Sequence, residues 1–284
     1  MSRTTTRGEV AIARPANDVG AAVGATPSSD DLHATIDTEL RRALDEDELR
    51  LHYQPLVDPC TGEIVGAEAL LRWAHPELGL LAPGAFLEAA DASSSSLELA
   101  EWIAGTAIAE AARWPDTWHV SINLSPRQVL LGGSRGLQES LSWLCRVHGV
   151  APTRLCIELT EQDSLDSDTL LALLDDLSDL GIRVAVDDFG DGSASLGRLR
   201  KLPFDIAKID RSLLTDIHEP AALMTLRLAI DLARACTSRV VIEGVETAEQ
   251  LEVLRRLDCD LVQGYHLARP MPAEELRALA GTLL

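Results

Sequence analysis

Cysteine is scarce and unpatterned in this chain of 284 residues. Cys60, Cys145, Cys156, Cys236 and Cys259 are odd in number, widely spaced and without a C-x-x-C pair. That excludes a disulfide framework and a cysteine zinc site. The seven histidines form no H-x-H or H-x-x-x-H pair, so structural roles are expected for them. Positive charge is short as well: 25 Lys and Arg face 45 Asp and Glu, a formal net charge of −20. Nucleic-acid polymers are held by neutralising their phosphates, so they are not expected partners. A smaller anionic substrate would be repelled at long range, and its site must carry local positive charge. No apolar stretch approaches the length of a membrane span, and the N-terminus lacks the apolar core of a signal peptide. A cytoplasmic protein with reduced thiols and no membrane partner is the expectation.

What is present is a series of short apolar runs that each end in a polar residue. They are Val65-Gly66-Ala67-Glu68, Val120-Ser121-Ile122-Asn123, Leu155-Cys156-Ile157-Glu158, Val184-Ala185-Val186-Asp187-Asp188, Ile206-Ala207-Lys208 and Val240-Val241-Ile242-Glu243. From Glu68 to Glu243 the tips lie 55, 35, 29, 21 and 35 residues apart. A βα unit of a (β/α)8 barrel takes about 30 residues, so the first gap has room for two units and the others for one each. Residues 1–34, rich in Ser, Thr, Ala, Gly and Pro, read as a disordered tail. That leaves 35–284 as one barrel-sized domain.

Two helices are legible between the strands. Leu170, Leu173, Leu174, Leu177 and Leu180 form a helical stripe that Gly181 would terminate. Thr247-Ala248-Glu249-Gln250 has the form of a capping box ahead of Leu251 and Leu254. Strand, polar tip, capped helix, glycine and strand again imply parallel strands with crossover helices. An open doubly wound sheet shares that periodicity but gathers its ligands near one switch point, whereas here six strands contribute. The fold class expected is therefore an α/β barrel of the TIM type.

In a closed barrel Glu68, Glu158, Asp187, Asp188 and Glu243 share one mouth. Two carboxylates about 5 Å apart repel by about 3 kcal/mol at an effective dielectric near 20. The group must therefore take up protons or cations. Oxygen donors without cysteine or histidine favour Mg2+ or Mn2+, and Asp187-Asp188 could bridge two ions. Lys208 has three readings: it orients a water or phosphate, acts through a Schiff base, or makes a plain salt bridge to Asp210 or a neighbouring acid. Carboxylates around it favour its charged form, which weighs against the Schiff base. The Asp-Asp-Phe-Gly stretch lacks the other kinase loops, and no G-x-S-x-G elbow or dinucleotide fingerprint occurs.

The ordered set resembles the EAL-domain cyclic-di-GMP phosphodiesterases. The resemblance runs through Tyr53-Gln54-Pro55, Gly66-Ala67-Glu68-Ala69-Leu70-Leu71-Arg72-Trp73, Ile122-Asn123-Leu124-Ser125 and Glu158-Leu159-Thr160-Glu161. It continues with Asp187-Asp188-Phe189-Gly190, Lys208-Ile209-Asp210, Glu243-Gly244-Val245-Glu246 and Gln263-Gly264-Tyr265. It implies a modified (β/α)8 barrel, often dimeric, that opens cyclic-di-GMP to linear pGpG with Mg2+ or Mn2+, two ions being expected. By that resemblance Glu68, Asn123, Glu158, Asp187 and Asp188 are metal ligands, and Lys208 and Glu243 position the attacking water. Gln263 supports the water network, Arg72 meets a phosphate, Gln54 a guanine, Pro270 lines the base, and Glu161 anchors the loop after Asp188. The sequence departs from the family pattern at Asp191, Ser193 and Ala194, where relatives carry Thr, Tyr and Ser. The alternative implied there is a degenerate domain that binds cyclic-di-GMP or a protein without turnover. Ile242 stands where Ala is usual and could crowd the barrel interior. Ser93 to Ser96 read as a flexible surface loop.

Overall fold

A computed structural model describes residues 29–160, 167–189, 202–279 and 283. Most of the expected tail lies outside this range, and the first helix begins within it, at Ser29. The elements are α1 (Ser29–Asp45), β1 (Leu49–Val57), β2 (Ile64–His75), β3 (Gly79–Leu81), α2 (Leu87–Ala92), α3 (Ser96–Ala111), β4 (His119–Asn123), α4 (Pro126–Gly132) and α5 (Ser134–His148). They continue with β5 (Leu155–Thr160), α6 (Ser167–Asp179), β6 (Arg183–Phe189), β7 (Ile206–Ile209), α7 (Pro220–Cys236), β8 (Arg239–Ile242), α8 (Ala248–Arg256), β9 (Leu261–Val262), β10 (Met271–Pro272) and α9 (Ala273–Ala278).

Strands pair in the order β1-β2-β4-β5-β6-β7-β8-β9, and β9 returns to β1, closing the barrel. Closure removes the open-sheet alternative. The strands from β2 to β9 run parallel around the ring, but β1 is antiparallel to both neighbours. This departs from an all-parallel alternation, and the reason is local. Only residues 58–63 join β1 to β2, too few for a crossover of a dozen or more. Asp58 Oδ1 accepts from the backbone N–H of Cys60 (2.7 Å) and Thr61 (3.0 Å), and Gly62 takes φ 73°. The chain has to turn back. The long first gap likewise holds one crossover, its extra length being the end of β2, the β3 hairpin and α2 ahead of α3.

The two helices read from sequence are present. Gly181 ends α6 at φ 78°, with Ile182 N–H on Leu177 O at 3.0 Å. Thr247 and Gln250 cap α8 reciprocally. The serine stretch differs from expectation. Ser93, Ser95 and Ser96 are buried, and Ser96 already belongs to α3. Ser93 Oγ donates to Ala90 O (2.7 Å), Ser94 to Asp37 (3.0 Å) and Ser96 to Asp91 (3.2 Å). Partners brought from α1 and α2 satisfy these hydroxyls, so the segment is a packed joint.

Side chains alternate across each strand, and the barrel separates them into two cores. Leu56, Cys156, Ala185, Ile206, Val241 and Leu261 pack together as a small inner cluster. Their neighbours, Ile157, Val186, Ala207 and Ile242 among them, join the large core beneath the helices. Ile242 therefore faces the helix layer, fully buried, and does not crowd the interior.

Candidate active site at the barrel mouth

Moving two residues along each strand from the inner cluster keeps the side chain inside and brings it to the mouth. The residues reached are Gln54, Glu158, Asp187, Lys208, Glu243 and Gln263. On β2 the same step from Gly66 reaches Glu68, and on β4 it leads from Ser121 to Asn123. An apolar floor thus carries a polar layer. Among the sequence-predicted residues, Gln54, Glu68, Glu158, Lys208 and Gln263 are buried; Arg72, Asp187, Asp188, Glu243 and Pro270 are half-buried, and Asn123 is exposed.

Lys208 is the hub. Its Nζ lies 2.6 Å from Glu158 Oε2, 2.5 Å from Glu243 Oε1, 3.4 Å from Asp187 Oδ1 and 3.5 Å from Glu68 Oε2. Beyond that ion pair Glu243 Oε1 takes no hydrogen bond, and buried Gln263 Oε1 accepts none. Asp210 takes no part: it accepts from Ser212 N–H at 2.9 Å and caps the turn Arg211–Leu214. Burial opposes a charge on Lys208, but Glu158, Glu243, Glu68 and Asp187 together hold its pKa well above the usual lysine value. The Schiff-base reading falls with that, since it requires a neutral amine.

Glu68 is held by amides. Asn123 Nδ2 donates to Oε1 and Gln263 Nε2 to Oε2, both at 2.8 Å. Gln263 also donates to Gln54 Oε1 (3.0 Å), and Gln54 donates to Ala268 O (3.1 Å). Burial pushes the Glu68 carboxyl up, yet Lys208 and these two amides bring it below the ordinary range. Glu158 goes the other way: burial, with Glu68, Asp187 and Glu243 adding repulsion, lifts it well above that range despite Lys208. Glu243 is likewise pushed up by burial, to about 8. One ammonium does not neutralise this many carboxylates, and protons make up the difference.

At the tip of β6 the strand is irregular. Pairing with β7 shifts register between Val186 and Phe189, and Asp188 takes φ 55°. A non-glycine residue in the left-handed region is costly and concentrates at functional sites. Here it coincides with the break in strand register next to Asp187. Asp188 N–H donates to Asp187 Oδ1 at 3.0 Å. Arg72 lies on the same side of β2 as Glu68, four residues on, and donates to Leu71 O (2.8 Å). Pro270 sits just ahead of β10. Glu161 and the loop 190–196 lie outside the described residues.

Beside the carboxylates opens a cavity of about 250 Å3 lined by Gln54, Glu68, Leu70, Arg211, Glu243 and Tyr265, among others. Arg211 and Tyr265 were not singled out from the sequence, although Tyr265 lies within a matching motif. Two glycines shape this wall. A Cβ on Gly264 would come within 2.1 Å of Val245 O, and one on Gly244, at φ 66°, within 2.2 Å of Arg211 Cβ. The Arg269 guanidinium stacks 4.2 Å from the centre of the Tyr265 ring.

The donor set is all oxygen, carries excess negative charge and leaves buried lone pairs unused, which fits hard divalent cations. Among the described residues no three His, Cys, Asp or Glu side chains are already arranged to hold a metal ion. The carboxylates are drawn onto Lys208 instead.

Known proteins resemble this chain in sequence and fold. The chain is 38% identical over 246 residues to the bifunctional diguanylate cyclase/cyclic di-GMP phosphodiesterase MucR of Pseudomonas aeruginosa, covering 84% of this chain and 36% of that protein. It is 37% identical over 249 residues to the cyclic di-GMP phosphodiesterase NbdA of the same organism, covering 85% and 31%. The chain thus spans about a third of the length of these curated relatives. The structure of the MucR phosphodiesterase in complex with c-di-GMP superposes with a TM-score of 0.78 at 38% identity, covering 85% of this chain and 99% of that one. The family model described as EAL domain matches residues 37–270, and the chain belongs to the EAL domain family.

Proposed function

We propose that this domain, residues 35–284, is a metal-dependent phosphodiesterase that opens cyclic-di-GMP to linear pGpG. The observation that carries the reading is the convergence of Glu68, Glu158, Asp187 and Glu243 on buried Lys208 at the mouth of the barrel. Family membership and the c-di-GMP bound by its MucR relative support the substrate. Glu68, Asn123, Glu158, Asp187 and Asp188 would hold the ions, two Mg2+ or Mn2+ matching the excess negative charge. Bound there, such ions supply Lewis acidity toward phosphate oxygens and a water of lowered pKa.

The remaining roles fall to the chain itself. Arg72 brings positive charge to a phosphate in an otherwise acidic mouth. Water adds to one of the two phosphorus atoms and that phosphorus loses its P–O bond to one ribose oxygen, so one phosphodiester becomes a terminal phosphate monoester and the other stays intact in the linear product. Glu243 is less acidic than an ordinary carboxylate; in its ionised form it would receive the water's proton, and the leaving ribose oxygen would take up a proton from Glu243 or solvent. Lys208 keeps Glu158 and Glu243 apart and aligned. Gln54 and Pro270 would meet a guanine, and Gln263 ties Gln54 to Glu68. A homodimer and a cytoplasmic location belong to the same proposal. Met224 and Leu228, exposed on α7, offer an apolar face to a second copy.

The test is incubation with cyclic-di-GMP and Mg2+ or Mn2+, following pGpG by chromatography, with Glu68→Ala as control. Metal-dependent product that is lost in the variant is the expected result. Retained turnover in Glu68→Ala would overturn the site. Tight dinucleotide binding without product would make the domain a receptor.

A further inference from the structure

Between the strand wall and the helices, on the outer side of the β4 and β5 tips and with Asn123 in its lining, lies a second cavity of about 170 Å3. Ala100 and Ala104 of α3 and Gly136 and Leu141 of α5 face it, with Ile122 of β4 and Ile157 of β5 as its floor. Protein interiors are packed like organic crystals, so an unfilled space this large beside aliphatic side chains is unusual; it opens to solvent past exposed Glu101, Leu131 and Gly136. It arises because small residues on α3 and α5 face one another where the wall supplies only medium-sized ones. Apolar cavities of about 150 Å3 stay dry and admit a benzene-sized guest.

We propose that this cavity is a binding site for a neutral, ring-sized apolar molecule. Its lining gives the chemistry. Its floor and sides are largely aliphatic; Asn123, Gln128 and Ser140 are polar residues of the lining, and the amides of Asn123 and Gln128 are already given to Glu68 and to Ser96 O. Exposed Glu101 stands at the rim beside half-exposed Leu131. With the chain's net charge of −20, that carboxylate selects against acids of the same size. The site also backs onto the mouth. Ile122 and Leu124 flank Asn123, and Ile157 precedes Glu158, so a guest packs against the outer face of the strand tips that carry two mouth residues.

The test uses toluene, benzoate and xenon as probes on the full chain, with thermal unfolding and methyl NMR as readouts. A ligand that binds only the folded state raises the midpoint with concentration. Toluene is expected to give a saturable rise and to shift the methyls of Ile122, Leu141 and Ile157. Benzoate is expected to do neither. Ala104→Leu, which fills the space, should lose the toluene response, and Ala100→Val serves if that variant folds poorly. Glu243→Gln, in the mouth and outside this lining, should keep the response, separating this cavity from the mouth. No saturable effect of toluene or xenon on the wild type overturns the proposal. So does an unchanged toluene response in the filled variants, or benzoate binding as well as toluene.

Discussion

The floor and the mouth of the barrel are built from the same strands, two residues apart, yet they treat ionisable groups in opposite ways. On the floor the buried groups are kept neutral. His119 lies below the inner cluster, pressed so close to β2 that a Cβ on Gly66 would come within 2.4 Å of its carbonyl oxygen. Burial, with Arg183 and Arg239 adding repulsion, drives its pKa down to about 3. Burial likewise lifts the Cys156 thiol to about 12. At the mouth a charged lysine is buried among carboxylates and held by them. The floor avoids charge, and the mouth concentrates it and leaves the balance incomplete. Stability belongs to one layer and chemistry to the other, which is how natural sites depart from a stability optimum.

The comparison is broken most severely by removing the hub. Lys208→Met leaves Glu68, Glu158, Asp187 and Glu243 without their cation. Deleting one partner of a buried ionic cluster costs about 3–5 kcal/mol. Urea unfolding at neutral pH without divalent ions should show a loss of that order, with turnover abolished. An unchanged midpoint would mean that the carboxylates are not held by the lysine. The floor gives the converse result. Ile206→Ala, a truncation in the inner cluster, should cost about 2–5 kcal/mol while turnover per folded molecule stays near that of the wild type. A comparable fall in turnover would show that the two layers are not separable.

The alternation that separates the layers was legible in the sequence, because each apolar run ends in its polar residue with the period of a strand. Glu68, Asn123, Glu158, Asp187, Lys208 and Glu243 were legible for that reason, whereas Gln54 and Gln263 came only with the family resemblance. The direction of β1 was not, since a buried strand reads alike whichever way it runs, and only the Asp58 turn decides it. The serines from Ser93 to Ser96 misled for a similar reason. Serine is a turn former by composition, and the Asp37 that buries this stretch lies 57 residues from Ser94. Arg211 and Tyr265 meet in the cavity wall only once Gly244 and Gly264 allow close approach. One signal passed over was available: the chain has only two lysines, Lys201 and Lys208, among its 25 basic residues. A chain that otherwise uses arginine keeps a lysine where a compact ammonium must sit between several carboxylates.

Acid sharpens the contrast by a smaller amount. His119 binds a proton in the unfolded chain below about pH 6.5 but resists it in the fold until about pH 3. Its contribution to stability is complete above pH 6.5 and is lost as the pH falls through that window. The slope from one such group is about 1.4 kcal/mol per pH unit. His119→Asn should therefore lose stability less steeply between pH 6.5 and 4.5 by about that amount. Parallel curves for the two proteins would show that the imidazole is not held neutral.

The smallest expected change in stability comes from Glu158→Gln, and it separates the layers most cleanly. Without divalent ions the Glu158 carboxyl is lifted well above the ordinary range, mainly by burial, which favours its neutral form. An amide of the same shape keeps an oxygen to accept from Lys208 Nζ, now 2.6 Å away, and relieves the repulsion among the remaining acids. The ion-free unfolding midpoint should stay within about 1 kcal/mol of the wild type or rise. Adding Mn2+ should then part the two proteins. A cation that binds only the folded state stabilises in proportion to the logarithm of its concentration over its Kd, and the variant lacks one anionic ligand. Wild-type protein should gain stability with Mn2+, and Glu158→Gln should gain much less and lose turnover. A loss above about 2 kcal/mol in the absence of ions would instead make Glu158 a structural partner of Lys208. The mouth would then resemble the floor more than the arrangement of its charges implies.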